Sequence, residues 1–468
     1  MKIWLSEIAK LVHGQLMGDD FLVEGVSIDS RQLKPNDLFI AIKGERFDGH
    51  DFIQQVFSQP VAGVLIRKNY EVDAIKDINS FRAILVDEPQ KAMTQLAEYW
   101  HQKCATKTIG VTGSVGKTTV KEMLAQMAKN QAQFVVTKGN FNNEIGLPLT
   151  LFRETEQDQL AILELGASAV GEIARLSKIA HPEVAIITRI GAAHLSGFGS
   201  IENICQAKSE LFQALPNNGY AIVNMDLPMS NALLQASNHC HQIRVSIAEN
   251  AHDIADVWPV SIVAKTDKTE LTCMVNKQKI EMIIPLPGQH NVMNALLALS
   301  GIFVLGYDVE LAAKSLSKMT SIAGRLVSHS LQQGTRVIDD TYNANPVSMR
   351  AAIDFLVQQP GSKVLVIGDM AELGENACLL HREIGEYAQK NGVNSLLTVG
   401  SFGEETQKGF GLGGEHFESK TQLIQSIQNK LTPDTMILIK GSRSAQMEQV
   451  VQALVEADKN NYFAKVNS

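Results

Sequence analysis

The 468-residue sequence lacks a CxxC pair, a Lys/Arg block and any long uncharged apolar run. Its five cysteines, Cys104, Cys205, Cys240, Cys273 and Cys378, have no companion histidine at metal-ligand spacing. They read as reduced, partly buried thiols, and no zinc site is expected. With 50 acidic against 42 basic residues the net charge is −8, which argues against nucleic acid as a partner but leaves room for a locally positive anion site. A mean hydropathy of −0.02 leaves no surplus for a membrane span. The opening "MKIWLSEIAK" puts Glu7 where a signal peptide needs its apolar core, so a cytoplasmic protein is expected. No apolar stripe or heptad repeat demands a second chain, and the expectation is a monomer.

What is present is a rhythm of short apolar runs that end in Gly, Asp or Asn, with helical patterns between them. "TKTIGVTG", "LAILELGAS", "VAIITRIGAAH" and "YAIVNMD" are followed later by "RVIDDTY", "VLVIGDM", "SLLTVG" and "MILIKGS". Such alternation predicts α/β architecture with parallel sheets, whose ligands sit at the carboxyl ends of the strands. The first stretch reads as short strands with little helix, the segment "PQKAMTQLAEYWHQKC" as a helix, and "SKMTSIAGRLVSHS" as a second change of character. Three domains are therefore predicted: a small N-terminal α/β domain over 1–87, a central domain with a mostly parallel sheet over 88–318, and a C-terminal Rossmann-like α/β domain over 319–468.

The segment "TIGVTGSVGKTTVKEM" at 108–123 carries the strongest chemical signal. Ile109 and Val111 belong to a strand, Gly110, Gly113 and Gly116 permit a tight turn, and Val120, Met123, Leu124, Met127 and Ala128 repeat as one helical face. A strand, a glycine turn and a helix N-terminus together cradle phosphates on backbone amides. Gly113, Ser114, Val115, Gly116, Lys117, Thr118 and Thr119 are the expected ATP contacts, with Lys117 reaching the terminal phosphates and Thr118 holding Mg2+. Val111 stands where the usual motif has its first glycine, so the spacing is G-x-x-G-x-x-G-K-T-T.

Other candidates have two readings when taken alone. Glu164 ends an apolar run, where a carboxylate needs a cation, either a metal or an ion-pair partner. His194 in "RIGAAH" reads as a structural strand-end residue or a ligand. Lys208 shares a helix face with Ile204, Ala207 and Leu211, which suits a snorkelling lysine. Asn291 and Asn294 lie one turn apart, so they either cap and pack a helix start or face one ligand.

The glycine spacing is similar to that of the Mur ligase and folylpolyglutamate synthetase superfamily. Further segments extend the resemblance over nearly the whole chain: "DSRQLKPNDLFIAIKGERFDGHDFI" (29–53), "TKGNFNNEIGLPLT" (137–150), "GQHNVMNALLA" (288–298), "DDTYNANPVSM" (339–349), "GDMAELG" (368–374) and "KGSRSAQMEQVV" (440–451). "DDTYNANP" and "GDMAELG" resemble the Mur ligases that act on UDP-N-acetylmuramoyl-tripeptide (UDP-MurNAc-tripeptide) and D-Ala-D-Ala.

The resemblance implies an ATP- and Mg2+-dependent ligase that forms an acyl phosphate, then an amide, giving the pentapeptide precursor of peptidoglycan. It also implies roles. Lys117, Glu164, His194 and Lys208 are catalytic, with Thr118, Glu164, His194 and a carbamylated Lys208 around magnesium. Asn291, Asn294, Arg325 and Asp340 join the ATP site. Ser30, Arg31, Gly44, Arg46 and Asp48 face the uridine diphosphate, although a solvated loop would look similar, and Asn142, Asn143, Asn343 and Asn345 line the substrate site. Lys440, Ser442 and Arg443 end a strand where a substrate or an acidic neighbour could bind. The family member one step earlier is the nearest competitor, and the chain lacks its "DNPR"-like motif. A nucleotide-gated binding protein is the alternative from another class. It would not need Lys117, Thr118, Glu164, His194 and Lys208 together.

Overall fold

The computed structural model describes residues 1–466 apart from 45–46, 71–81, 192–194, 266, 321–322, 332–333 and 431. Two expected site residues, Arg46 and His194, thus lie outside the described residues. Three sheets carry the α/β architecture. In the N-terminal sheet, Gln15–Met17 pairs antiparallel with Ala83–Val86, and Gly63–Arg67, Asp37–Ile40 and Gly25–Ser27 continue it in parallel.

The central sheet has nine strands. Lys107–Thr112 lies inside it, hydrogen-bonded in parallel to Leu160–Glu164 on one side and Val184–Ile187 on the other. Every residue of Leu160–Glu164 and Val184–Ile187 is buried, as expected for parallel strands covered by helices on both faces. The far end departs from the sequence expectation of strands alternating with helices. Val257–Ala264, Thr269–Val275 and Gln278–Ile284 form consecutive antiparallel hairpins. One face packs into the apolar cluster around the helix Gln289–Val304 and the other meets solvent, so Thr269, Leu271, Cys273 and Val275 are buried in alternation.

The helix Pro89–Cys104 occupies all of the expected segment, with Pro89 in its first turn and left-handed Ala105 ending it. Its buried Trp100 donates from Nε1 to the Glu154 carbonyl at 2.9 Å, and His101 Nδ1 lies 2.8 Å from Glu154 Oε2. One apolar cluster runs from the N-terminal sheet through this helix onto a face of the central sheet.

The C-terminal sheet orders its strands Val327–Ser330, Arg336–Asp340, Thr435–Lys440, Ser362–Ile367, Ser395–Val399 and Gly414–Phe417, and only the first pair is antiparallel. Its apolar residues form two clusters of their own, one on each face. Register sets Asp340 beside Lys440 at the carboxyl ends of neighbouring strands. No helix among the described residues is long and apolar enough to cross a membrane.

Candidate active site

The phosphate loop leaves the strand Lys107–Thr112 and enters the helix Lys117–Ala128. Gly113 and Gly116 adopt positive φ values of 147° and 93°. A Cβ at Gly113 would collide with Thr188 Oγ1, so the loop is closed to larger residues there. Thr188 Oγ1 donates to the Val115 carbonyl at 2.6 Å, the Ser114 amide donates to the Arg189 carbonyl at 2.7 Å, and Ser114 Oγ donates to the Gly191 carbonyl at 2.9 Å. The loop is thereby tied to the segment after the neighbouring strand. Val115 contributes through its backbone, so a valine is tolerated. Lys117 Nζ donates to the Gly113 carbonyl at 2.7 Å. Burial pulls its ammonium below the ordinary lysine range, Arg325 pushes the same way, and Glu164 opposes.

Glu164 is 2 % exposed at the end of its strand. Asn142 Nδ2 donates to its Oε1 at 2.8 Å, and Oε2 is buried without a hydrogen-bond partner among the described residues. An unpaired buried carboxylate oxygen costs at least about 1–3 kcal/mol, so the arrangement fits a cation more readily than a packing role. With the buried hydroxyl-bearing Thr118 in the first helical turn, the donors suit a hard divalent ion such as magnesium. No group of three His, Cys, Asp or Glu side chains gathers among the described residues. The strand expected to close at His194 stops at Ile187.

Lys208 does not snorkel. It is 2 % exposed on the helix Ile201–Gln213, with Nζ 5.2 Å from the Phe198 ring centroid and a long 3.4 Å hydrogen bond to the Ala167 carbonyl. Burial pulls its ammonium down to about 7, helped by Lys117 and opposed by Glu172 and Glu210. Those two carboxylates are engaged elsewhere: Glu172 accepts from the Ser168 amide and Glu210 from the Gly171 and Ala174 amides.

The central and C-terminal sheets meet at a cleft. Val115, Gly116, Thr119, Asn291 and Asn294 line it from the central side, and Arg325, Asp340 and Lys440 from the other. Asn291 and Asn294 hold each other in place: Asn291 Nδ2 donates to the Pro287 carbonyl at 2.8 Å, and Asn294 Nδ2 donates to Asn291 Oδ1 at 3.2 Å. Arg325 lies over the Tyr342 ring, 4.4 Å from its centroid, and its Nε is buried without a partner among the described residues. An unsatisfied guanidinium donor at a cleft that the phosphate loop also lines fits a phosphate oxygen.

Other expected residues stand apart or have partners of their own. Asn343 Oδ1 accepts from the Ala344 amide, and Asn345 caps the helix Pro346–Val357 by accepting from the Ser348 amide at 2.9 Å, which is the turn-forming reading of both. Asn143 Oδ1 likewise accepts from the Gly146 amide at 2.8 Å. In the N-terminal unit, Arg31 forks onto Asp29 with both bonds at 2.9 Å. Asp48 is bound by His50 and Arg67, Ser30 is buried with its carbonyl accepting from Gln59, and exposed Gly44 donates to the Phe47 carbonyl. None of these N-terminal residues shares a hydrogen bond with the phosphate-loop group among the described residues.

Sequence reasoning passed over Thr188 and Tyr342, whereas the resemblance set the histidine of "GQHN", His290, close to the adenine site. His290 lines the cleft and is pushed down to about 4, by burial first and by Arg189 and Lys440 next, against Asp340 and Asp354. Thr188 gave no signal, because its hydroxyl serves backbone carbonyls far along the chain.

Three family models match: "Mur ligase family, catalytic domain" over residues 22–76, "Mur ligase middle domain" over 111–302, and "Mur ligase, glutamate ligase domain" over 324–443. The UDP-N-acetylmuramoyl-tripeptide--D-alanyl-D-alanine ligase of Escherichia coli is 36% identical over 97% of this chain and 99% of its own, and that of Bacillus subtilis is 36% identical over 98% and 99%. A crystal structure of MurF from Acinetobacter baumannii superposes with a TM-score of 0.91 at 31% identity, covering 97% of this chain and 99% of that one. MurF from Thermotoga maritima, solved in complex with ADP, gives 0.80 at 26% identity, over 93% and 98%. Matched along nearly its full length by relatives above 30% identity, the chain belongs to the Mur ligase family.

Proposed function

We propose that the protein is the ATP-dependent ligase that joins D-Ala-D-Ala to UDP-N-acetylmuramoyl-tripeptide and yields the pentapeptide precursor of peptidoglycan. The full-length likeness to enzymes of that name supports the substrates. The carrying observation for the chemistry is the cleft where the phosphate loop faces Arg325 and Asp340. ATP is the co-substrate, and the tripeptide carboxylate takes its terminal phosphoryl group before the dipeptide amine displaces phosphate. Positioning and charge neutralisation carry such a reaction, with no need for a protein nucleophile. Lys117 and Arg325 supply fixed positive charge, and Asn291 and Asn294 shape the base end of the cleft.

Thr118 and Glu164, with His194, are the proposed holders of magnesium, which when bound would offset phosphate charge and polarise the transferred phosphoryl group. Lys208 completes this group as a carbamate: its neutral amine nitrogen bonds to the carbon of CO2, a proton leaves, and the product is an anion. A buried lysine without a paired carboxylate among the described residues and within the influence of Lys117 supports this reading. Lys208→Ala is then expected to lose activity and to regain part of it with added short carboxylic acids; no recovery overturns the carbamate. Because ATP and the UDP-linked substrate are cytosolic, the reaction belongs in the cytoplasm.

The deciding experiment measures phosphate release from ATP. Release that requires UDP-MurNAc-tripeptide and D-Ala-D-Ala together is expected, and release indifferent to either substrate overturns the assignment.

A further inference from the structure

Lys121 is a buried cation that the reaction scheme does not use. It sits on the helix Lys117–Ala128, four residues after Lys117 and so on the same face one turn further on. It is 1 % exposed, and an ammonium taken that far from water needs partners. Nζ donates to the Thr137 carbonyl at 2.8 Å and lies 2.7 Å from Glu122 Oε1, whose own side chain reaches solvent. Thr137 is buried too and follows the edge strand Phe134–Val136 of the central sheet. Its amide donates to the Ile162 carbonyl at 3.1 Å, and its hydroxyl accepts from the Glu164 amide at 3.0 Å.

From Thr137 the chain runs out over exposed residues 138–141 and returns at Asn142. Asn142 holds Glu164 Oε1 with its side chain, and its carbonyl accepts from the Gly166 amide at 2.8 Å. A Cβ on Gly166 would lie 2.9 Å from Asn142 Cγ, so the return is close-packed. The segment 137–142 thus grips Glu164 twice, by the backbone at one end and by the carboxylate at the other. Between them the backbone bonds are local, Phe141 to the Lys138 carbonyl and Asn142 to the Asn140 carbonyl, so the segment takes its place from its ends and from the seat of Phe141 on Gly146.

We propose that Lys121 is a positioning residue: by fixing Thr137 to the phosphate-loop helix it sets the segment 137–142, and with it the aim of the Glu164 carboxylate relative to the phosphate loop. The inference rests on the reading of Glu164 as a holder of the cation. An ammonium suits this task because its charge-assisted bond is stronger than a neutral donor's, and because a carbonyl as buried as that of Thr137 is costly to leave unpaired.

Hydrogen–deuterium exchange of the full chain, free of nucleotide and metal, tests this without measuring turnover. The amides of Thr137, Glu164 and Gly166 report the three bonds that tie the segment down. In Lys121→Met their exchange should quicken by about tenfold or more, with the helix Gln289–Val304 and the C-terminal sheet exchanging as in the native protein. Leu124→Ala, which opens a cavity on the same helix where Leu124 faces Gly301, should instead quicken exchange along Gln289–Val304 and spare the segment. Calorimetry of ADP binding gives a second reading: Lys121→Met should need about tenfold more magnesium for the same gain in affinity, with binding in the absence of magnesium unchanged. Adding Asn142→Ala to Lys121→Met should change that requirement little further, because both act through one segment. Lys121→Gln keeps a neutral donor, should show the same pattern in weaker form, and serves where the Met variant does not fold. A folded variant whose three amides exchange at the native rate, or quicken only together with the whole central sheet, overturns the positioning role. A Glu164→Gln protein whose ADP binding responds to magnesium as the native one does overturns the cation reading instead, so the two failures are distinguishable.

Discussion

Glu164 and Asp340 stand on opposite sides of the cleft region and are held in the same way by chemically different partners. Among the described residues, each carboxylate has one oxygen fixed and one without a protein partner. Glu164 is fixed by the amide of Asn142, which carries no charge, and the nearby Lys117 acts on it through space without a direct ion pair. Asp340 is fixed by the ammonium of Lys440, which cancels much of its field. The partner of a carboxylate, more than the carboxylate itself, decides how much of its charge a strand end presents to the cleft.

Breaking the cation side should have the largest effect. Glu164→Gln keeps the shape and removes the charge, and ligation rate is expected to fall by about a thousandfold, as for loss of a charged group acting on the transition state. A fall of less than tenfold in phosphate release would place the cation elsewhere. Asn142→Ala, next in size, leaves Glu164 Oε1 unpaired as well; a loss of about 1–3 kcal/mol in stability is expected together with a weaker response to magnesium. Unchanged magnesium dependence with unchanged melting would remove Asn142 from the comparison.

The two carboxylates act on one nucleotide only if their sheets close together. A Cβ on Gly191 would lie 2.5 Å from Val347 Cγ2 across the junction. Gly191→Ala should lower turnover by about tenfold to a hundredfold with little change in melting temperature, and Val347→Ala in the same chain should restore much of it. Failure of that rescue would mean that Gly191 matters for another reason.

The smallest effect concerns His290, whose imidazole is held down at about 4, by burial first, with Arg189 and Lys440 adding to it and Asp340 and Asp354 opposing. Removing the Lys440 charge should move that pKa up, read from the imidazole resonance in an NMR titration; a downward move would contradict the cleft electrostatics. The folded value lies below the ordinary 6.5, so the unfolded chain takes up this proton first. The contribution to stability is whole above about pH 6.5 and is lost as pH falls toward 4.

What the sequence disclosed and what it hid follow from the range of the interactions. The phosphate loop, the helix after it and the helix Pro89–Cys104 were legible, because glycine spacing, a helical period and a first-turn proline are local signals. Glu164 was legible as a charge at the end of an apolar run. The hairpins between Val257 and Ile284 were harder: their solvent-side positions include Val263 and Ile283, both exposed, which blurs the period-two contrast. Lys208 was ambiguous until burial settled that its head does not reach solvent. The tie between Lys440 and Asp340 joins residues a hundred positions apart through strand register, and no local pattern encodes that.

The apolar cluster shared by the N-terminal sheet, the helix Pro89–Cys104 and one face of the central sheet bears on how the molecule comes apart. Two sheets that bury their side chains in one continuous cluster form a single cooperative unit, while the C-terminal sheet, with clusters of its own, forms another. Differential scanning calorimetry of the free protein should resolve two transitions rather than three. A nucleotide bound across the cleft should draw those transitions together, since it grips a residue set that both units supply.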